Sequence, residues 1–188
     1  MTATSSLAPA FLLSMPQLVD PNFNRTVVLL CRHTEKDGAF GVVVNRPLMT
    51  TGRITVNLDP PASTDRELQL WVGGPVEPQR TWILVGQEPD QHEALSGMRI
   101  AENLYLSTSP DLLRRLLEPK PPPRARLIVG YSGWGAGQLE AELQASAWLM
   151  SDVDRDLVFN TPAERMWEAG IRRLGADPSA LQVSRGVH

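Results

Sequence analysis

Gly130-Tyr131-Ser132-Gly133-Trp134-Gly135-Ala136-Gly137-Gln138-Leu139-Glu140 leaves the backbone few options. The apolar run Leu127-Ile128-Val129 leads into it as a strand, and Gln138 opens a helix whose first turn carries Glu140. Between them, glycines at 130, 133, 135 and 137 permit dihedrals that side chains forbid. The segment is therefore predicted to be a strand end, a glycine-dense turn and a helix start. Tyr131 and Trp134 place two large rings on that turn, and such rings need cover from the rest of the molecule.

Strand-like segments dominate the chain before this point. Phe11-Leu12-Leu13, Val27-Val28-Leu29-Leu30-Cys31 and Phe40-Gly41-Val42-Val43-Val44 are short apolar runs bounded by Pro, Asn, Asp and Gly, as buried strands are. Leu70-Trp71-Val72 and Trp82-Ile83-Leu84-Val85 flank Gly73-Gly74-Pro75-Val76-Glu77-Pro78, which reads as a turn. Met98-Arg99-Ile100 and Leu104-Tyr105-Leu106, separated by Ala101-Glu102-Asn103, have hairpin spacing, so the sheet is expected to be at least partly antiparallel.

Helices carry clearer end signals. Ser109-Pro110-Asp111 supplies an N-cap, a first-turn proline and an acid, with Leu112, Leu113, Leu116 and Leu117 as the apolar stripe up to Glu118-Pro119. Thr161-Pro162-Ala163-Glu164 has the form of a capping box, and Met166, Trp167, Ile171 and Leu174 recur on one face until Gly175. The proline cluster at 119–123 reads as an extended surface connector rather than a domain linker. One domain spanning 1–188 is expected from the length of 188 residues.

Composition excludes several functions. Net charge −3 and a pI near 5.6 supply no general attraction to phosphate backbones, so direct nucleic-acid binding is not expected. No apolar run approaches the roughly 20 residues that span a bilayer. The first ten residues lack the charge and apolar core of a secretory signal, which makes the cytoplasm the expected compartment. A single cysteine, Cys31, excludes disulfides within the chain.

Candidate chemistry is thin. A strand, glycine turn and helix start can hold anions, but the glycine spacing is not G-x-G-x-x-G, no P-loop lysine follows, and Glu140 and Glu142 already bring negative charge. Gly130-Tyr131-Ser132-Gly133 begins like a nucleophile elbow, yet Trp134 stands where the final glycine belongs. The only histidine after Ser132 is His188 at the terminus. Cys31 and His33 alternate onto one strand face but lack further ligands nearby, and His92 sits in a polar loop, so neither a metal nor a cofactor is implied. Arg114-Arg115 and Arg172-Arg173 lie toward helix C-termini, where cations offset the dipole.

Taken together, Asp20-Pro21-Asn22-Phe23-Asn24-Arg25-Thr26-Val27-Val28, Gly38 to Leu48 with its Asn45-Arg46-Pro47, Gly73-Gly74-Pro75-Val76 and Gly130 to Glu140 resemble the YqgE/AlgH family over about 12–175. Ala147-Trp148-Leu149, Phe159 and Trp167 also fall where that family's pattern puts them, and Ala136 departs from it where proline is frequent. The resemblance implies a bacterial, cytoplasmic protein of α/β (α+β) class. Its fold would be a single domain with a mixed, largely antiparallel, barrel-like bifurcated sheet flanked by helices. It implies no catalytic residues; part of the family carries a label as a regulator of transcription.

The expected function is a regulatory or binding module for a small ligand or a protein partner, with a regulator acting directly or indirectly on DNA and a hydrolase using Ser132 as alternatives. The candidate contact residues are Asn45, Arg46, Gly73, Gly74, Tyr131, Ser132, Trp134 and Gln138. Their turns hold more glycine and proline than turning requires, so they are expected to converge on one face. There Arg46 and Trp134 would grip an anionic or planar group, unless Arg46 is tied to carbonyl oxygens instead.

Overall fold

Strands β1 (Ala10–Ser14) and β2 (Val27–Thr34) are apolar at successive rather than alternate positions, and their cores are buried on both sides. Such runs belong to a sheet covered on both faces. The computed structural model describes residues 5–16, 18, 20–91 and 96–183. Along it follow β3 (Gly38–Val43), β4 (Pro47–Met49), β5 (Ile54–Val56), β6 (Ala62–Thr64), β7 (Gln69–Val72), β8 (Val76–Val85), β9 (Gly97–Ala101) and β10 (Leu104–Ser107). Then come α1 (Pro110–Leu116), β11 (Ala125–Trp134), α2 (Gln138–Gln144), β12 (Trp148–Ser151), α3 (Arg155–Phe159), α4 (Ala163–Arg173) and α5 (Pro178–Val183).

The sheet runs β12-β1-β2-β3-β11-β8-β10-β9, with β7 on β11 and β4 on β7, while β5 and β6 pair separately. Strand β11 makes the fork. Its Ala125–Tyr131 edge pairs with β8, whereas its other edge takes β7 in parallel along Leu127–Val129 and then β3 antiparallel along Ser132–Trp134. The remaining pairs in the described residues are antiparallel. The sheet is bifurcated as expected, but it is open and does not close into a barrel.

One face packs Phe11, Leu29, Val42, Trp82 and Ile128 against Leu157 of α3 and Met166, Trp167 and Ile171 of α4. The opposite face is divided. Around β1–β3 it is covered by Leu139 of α2 and by Trp134 and Trp148, and around β8, β10 and β11 by Leu112, Leu113 and Leu116 of α1.

Several boundaries differ from the sequence reading. The glycine-rich segment is strand as far as Trp134, and only 135–137 turns. Val76-Glu77-Pro78, expected in a turn, belongs to β8. A register irregularity between Val129 and Tyr131, where Gly130 has φ +75, offers the kind of site at which a strand tolerates proline, and Glu77 takes φ +42 beside it. The Thr161 capping box does not form. Pro162 itself is the N-cap, no side chain caps the helix, and Thr161 lies one position too early. At the far end the reading holds: Gly175 has φ +80, its N–H reaches Arg172 O, and Ala176 N–H reaches Ile171 O, a Schellman ending. Ser109 likewise caps α1, accepting from Leu112 N–H at 3.3 Å.

Candidate functional site

Gly73, Gly74, Tyr131 and Ser132 meet at the fork of the sheet. The Gly73 carbonyl accepts from Val43 N–H at 2.8 Å and from the fully buried Ser132 hydroxyl at 3.1 Å. A Cβ on Gly74, where φ is +150, would collide with the Tyr131 carbonyl and stand 2.5 Å from Ser132 Oγ. Glycine is required there because three backbone segments touch. Ser132 has no histidine beside it among the described residues, and His188 and His92 lie outside them. Tyr131 packs on Phe40 and Trp82 at centroid distances of 5.2 and 6.2 Å. Its hydrogen bond to Glu77 holds the phenol above its ordinary range.

Asn45 and Arg46 secure the turn that precedes β2. The Asn45 amide accepts from Val27 N–H at 2.9 Å and donates to Arg25 O at 3.0 Å. Arg46 Nη2 donates to Asn24 O at 2.8 Å, with Pro21 O at 3.4 Å. Its guanidinium is thus tied to carbonyl oxygens, the alternative weighed above.

Trp134 and Gln138 form a third cluster, around Glu142. Glu142 Oε2 accepts both indole N–H groups, from Trp134 at 2.7 Å and Trp148 at 3.0 Å, and Gln138 Nε2 donates to Oε1 at 3.4 Å. Phe23 lies 5.6 Å from Trp148 and 6.5 Å from Trp134, closing an aromatic cage over the turn. Gln138 Oε1 also accepts from Gly135 N–H at 3.0 Å. The eight residues therefore divide into three clusters, each tied together by internal hydrogen bonds.

Cys31 and His33 do not share a face. A register irregularity between Leu30 and Arg32 turns Cys31 toward the α3–α4 core, where burial pushes its thiol up to about 12. His33 faces α2 instead. Its Nδ1 accepts from Leu7 N–H at 3.1 Å, so its proton resides on Nε2, which donates to Glu140. No cluster of three or more potential metal ligands occurs among the described residues.

One half-buried cation leaves a nitrogen without a hydrogen-bond partner among the described residues. Arg126 interrupts the apolar run of β11, and its guanidinium carbon lies 4.1 Å from the Trp71 ring centroid and 5.1 Å from that of Phe159. Its enclosed Nη1 has no hydrogen-bond partner among the described residues. Burial lowers its pKa to about 10, so it remains charged at neutral pH. A groove of about 380 Å³ opens beside it between β4 and β7 and the link from α3 to α4, lined by Pro47, Trp71, Arg126, Phe159, Pro162 and Glu164. A second lobe of about 310 Å³, between β7, β11 and the proline connector, shares Gln69, Trp71 and Arg126 with it. The uncapped start of α4 borders the first lobe, with the N–H groups of Ala163 and Glu164 in its first turn.

The sequence reading missed this site. Its signal was present, since a lone arginine inside the apolar run Ala125-Arg126-Leu127-Ile128-Val129 must find a partner or a special environment.

These features define a single mixed α/β domain whose mostly antiparallel sheet forks at β11, with helices on both faces. The AlgH-like family model matches residues 11–179, and the chain belongs to that family. A UPF0301 protein of Magnetococcus marinus is 40% identical over 183 residues, 94% of each chain. A UPF0301 protein of Myxococcus xanthus is 38% identical over 187 residues, covering 97% of this chain and 99% of its own. The solution structure of the AlgH protein from Pseudomonas aeruginosa is 34% identical and superposes with a TM-score of 0.70 over 100% of both chains. No helix among the described residues is long and apolar enough to cross a membrane.

Proposed function

We propose that the protein is a cytoplasmic binding module that receives an anionic group in the groove beside Arg126. The observation that carries this reading is the guanidinium itself. It is charged, lies beside the Trp71 and Phe159 rings, and leaves its Nη1 without a partner among the described residues. Arg126 lines both lobes, so an anion seated in the groove would lie beside a half-buried positive charge and pair with it. The eight residues expected to form the contact surface act as its support: with their polar groups engaged internally, they hold β3, β7 and β11 in the fork that positions Arg126 and Trp71. A regulatory role would then run through a small ligand or protein rather than duplex DNA, since net charge −3 leaves little counterion release to drive association.

The test is a thermal-shift panel of simple anions (acetate, benzoate, inorganic phosphate and phenyl phosphate) on the wild type and Arg126→Met. At least one anion should raise the midpoint of the wild type and leave Arg126→Met unchanged. Stabilisation by none of them, or equal stabilisation of both proteins, would overturn the reading.

A further inference from the structure

The geometry points to a small organic monocarboxylate with a flat apolar body, an aromatic carboxylate above all, as the occupant of the Arg126 groove; this rests on reading the groove as an anion site. The guanidinium comes first. The Trp71 and Phe159 ring centroids lie 4.1 and 5.1 Å from its carbon, and Arg126 lines the groove beside them. A guanidinium edge is a planar fork of parallel donors, and the group that meets it with two parallel bonds in one plane is a carboxylate.

Charge selects among anions. The larger lobe is lined by one cation, Arg126, and one acid, Glu164. A monoanion neutralises Arg126 and leaves the lobe near balance. A phosphate dianion would place a second negative charge in a partly enclosed space beside the Glu164 carboxylate, where like charges are costly. The second lobe does not change this balance, because besides Arg126 it adds one cation, Arg66, and one acid, Glu67; Arg66 Nη2 donates to the carbonyls of Leu116 and Glu118 at 3.1 and 2.7 Å, closing the end of α1.

The walls specify the body of the ligand. Pro47, Trp71, Phe159, Pro162 and Ala163 present flat or small apolar surface around the guanidinium. Pro47 pairs with Trp71 across β4 and β7, so the ring and the pyrrolidine share one face of the sheet. A lobe of about 380 Å³ lies at the small end of ligand sites, suited to a single ring rather than a nucleotide or a lipid chain.

The experiment is an NMR titration of the full chain with sodium benzoate, with benzamide and phenyl phosphate as matched probes. Benzoate should move the Trp71 indole N–H resonance saturably. Benzamide, which has the same shape without the charge, should bind at least about tenfold more weakly, as should benzoate to Arg126→Lys, which keeps the charge but loses the fork. Phe159→Leu should weaken benzoate several-fold by removing one wall. If Arg126→Lys fails to fold, the benzoate–benzamide contrast on the wild type still decides. Absence of a saturable benzoate shift, equal binding of benzamide, or undiminished binding to a folded Arg126→Lys would overturn the proposal. Tighter binding of phenyl phosphate than benzoate, lost in Arg126→Met, would defeat the carboxylate assignment while leaving the anion-binding module intact. Failure of every anion in both assays would defeat both.

Discussion

Replacing Glu142 with alanine is expected to be among the most damaging single changes on the α2 side of the sheet. Its Oε2 accepts from the indole N–H groups of Trp134 and Trp148 at 2.7 and 3.0 Å, and those rings are only 6% and 3% exposed. Alanine leaves both donors without an acceptor inside an apolar cluster that includes Leu12, Val28, Leu30 and Leu139. Each orphaned donor costs about 1–3 kcal/mol, so the pair amounts to about 2–6 kcal/mol. Because Glu142 is itself only half-buried, water entering the gap would bring the value toward the lower end. Glutamine keeps an amide oxygen where Oε2 was and loses only the charge assistance, about 1–2 kcal/mol for the two bonds. Urea unfolding followed by tryptophan fluorescence and far-ultraviolet circular dichroism reads both variants. With a slope of about 2 kcal/mol/M, alanine should lower the midpoint by about 1–3 M and glutamine by less than about 1 M. An alanine variant within about 0.5 kcal/mol of the wild type, or glutamine as costly as alanine, would refute the view that Trp134 and Gln138 serve the fold through this carboxylate.

Ser109→Ala should cost about 1 kcal/mol by chemical denaturation, because Ser109 caps α1, whereas Thr161→Ala should leave the midpoint unchanged, since its hydroxyl caps nothing. Gly74→Ala should destabilise by about 3 kcal/mol or more, combining the φ of +150 with collision against Tyr131 O, and soluble yield should fall with it. The hydrogen bond from His33 holds the Glu140 carboxyl below its ordinary 4.5. A depressed carboxyl contributes stability above that value and loses it as pH falls through the folded pKa, so below about pH 4.5 the wild type should lose stability more steeply than Glu140→Gln. Parallel curves would show that the His33–Glu140 contact does not form.

Most of the strands were legible in the sequence because the sheet is covered on both faces, which concentrates apolar residues into unbroken runs. Val27 to Leu30 and Val42 to Val44 are all nearly fully buried, and such runs stand out against their polar flanks. Where the reading erred, backbone irregularities were responsible. Pro78 signals a turn in sequence, yet beside the Gly130 irregularity it sits within β8. The irregularity near Cys31 separates it from His33 in the same way, because one shifted position reverses which face a side chain takes. The short strands β4, β5 and β6, three residues each, hold too little apolar pattern to announce themselves.

The candidate site was hidden for a different reason. Glycine, proline and tryptophan are conspicuous in a sequence, and they drew attention to Asn45-Arg46-Pro47, Gly73-Gly74 and Gly133-Trp134, where their prominence reflects the packing of a forked sheet. Whether an arginine is free or engaged depends on carbonyls and carboxylates brought from elsewhere in the chain. Arg46 meets the carbonyls of Pro21 and Asn24, 25 and 22 residues away, and is satisfied. Arg126 meets two rings, from Trp71 on β7 and Phe159 at the end of α3, and its Nη1 meets no acceptor among the described residues. The apolar neighbours of Arg126 mark it as unusual but do not say what it meets; that is decided only when the fork in β11 sets β7 against one edge while the link from α3 to α4 passes over the same face. In the proposed reading, recognition would therefore reside in the pairing of a strand cation with aromatic residues from remote elements, and the glycine motifs would serve it by fixing where those elements meet.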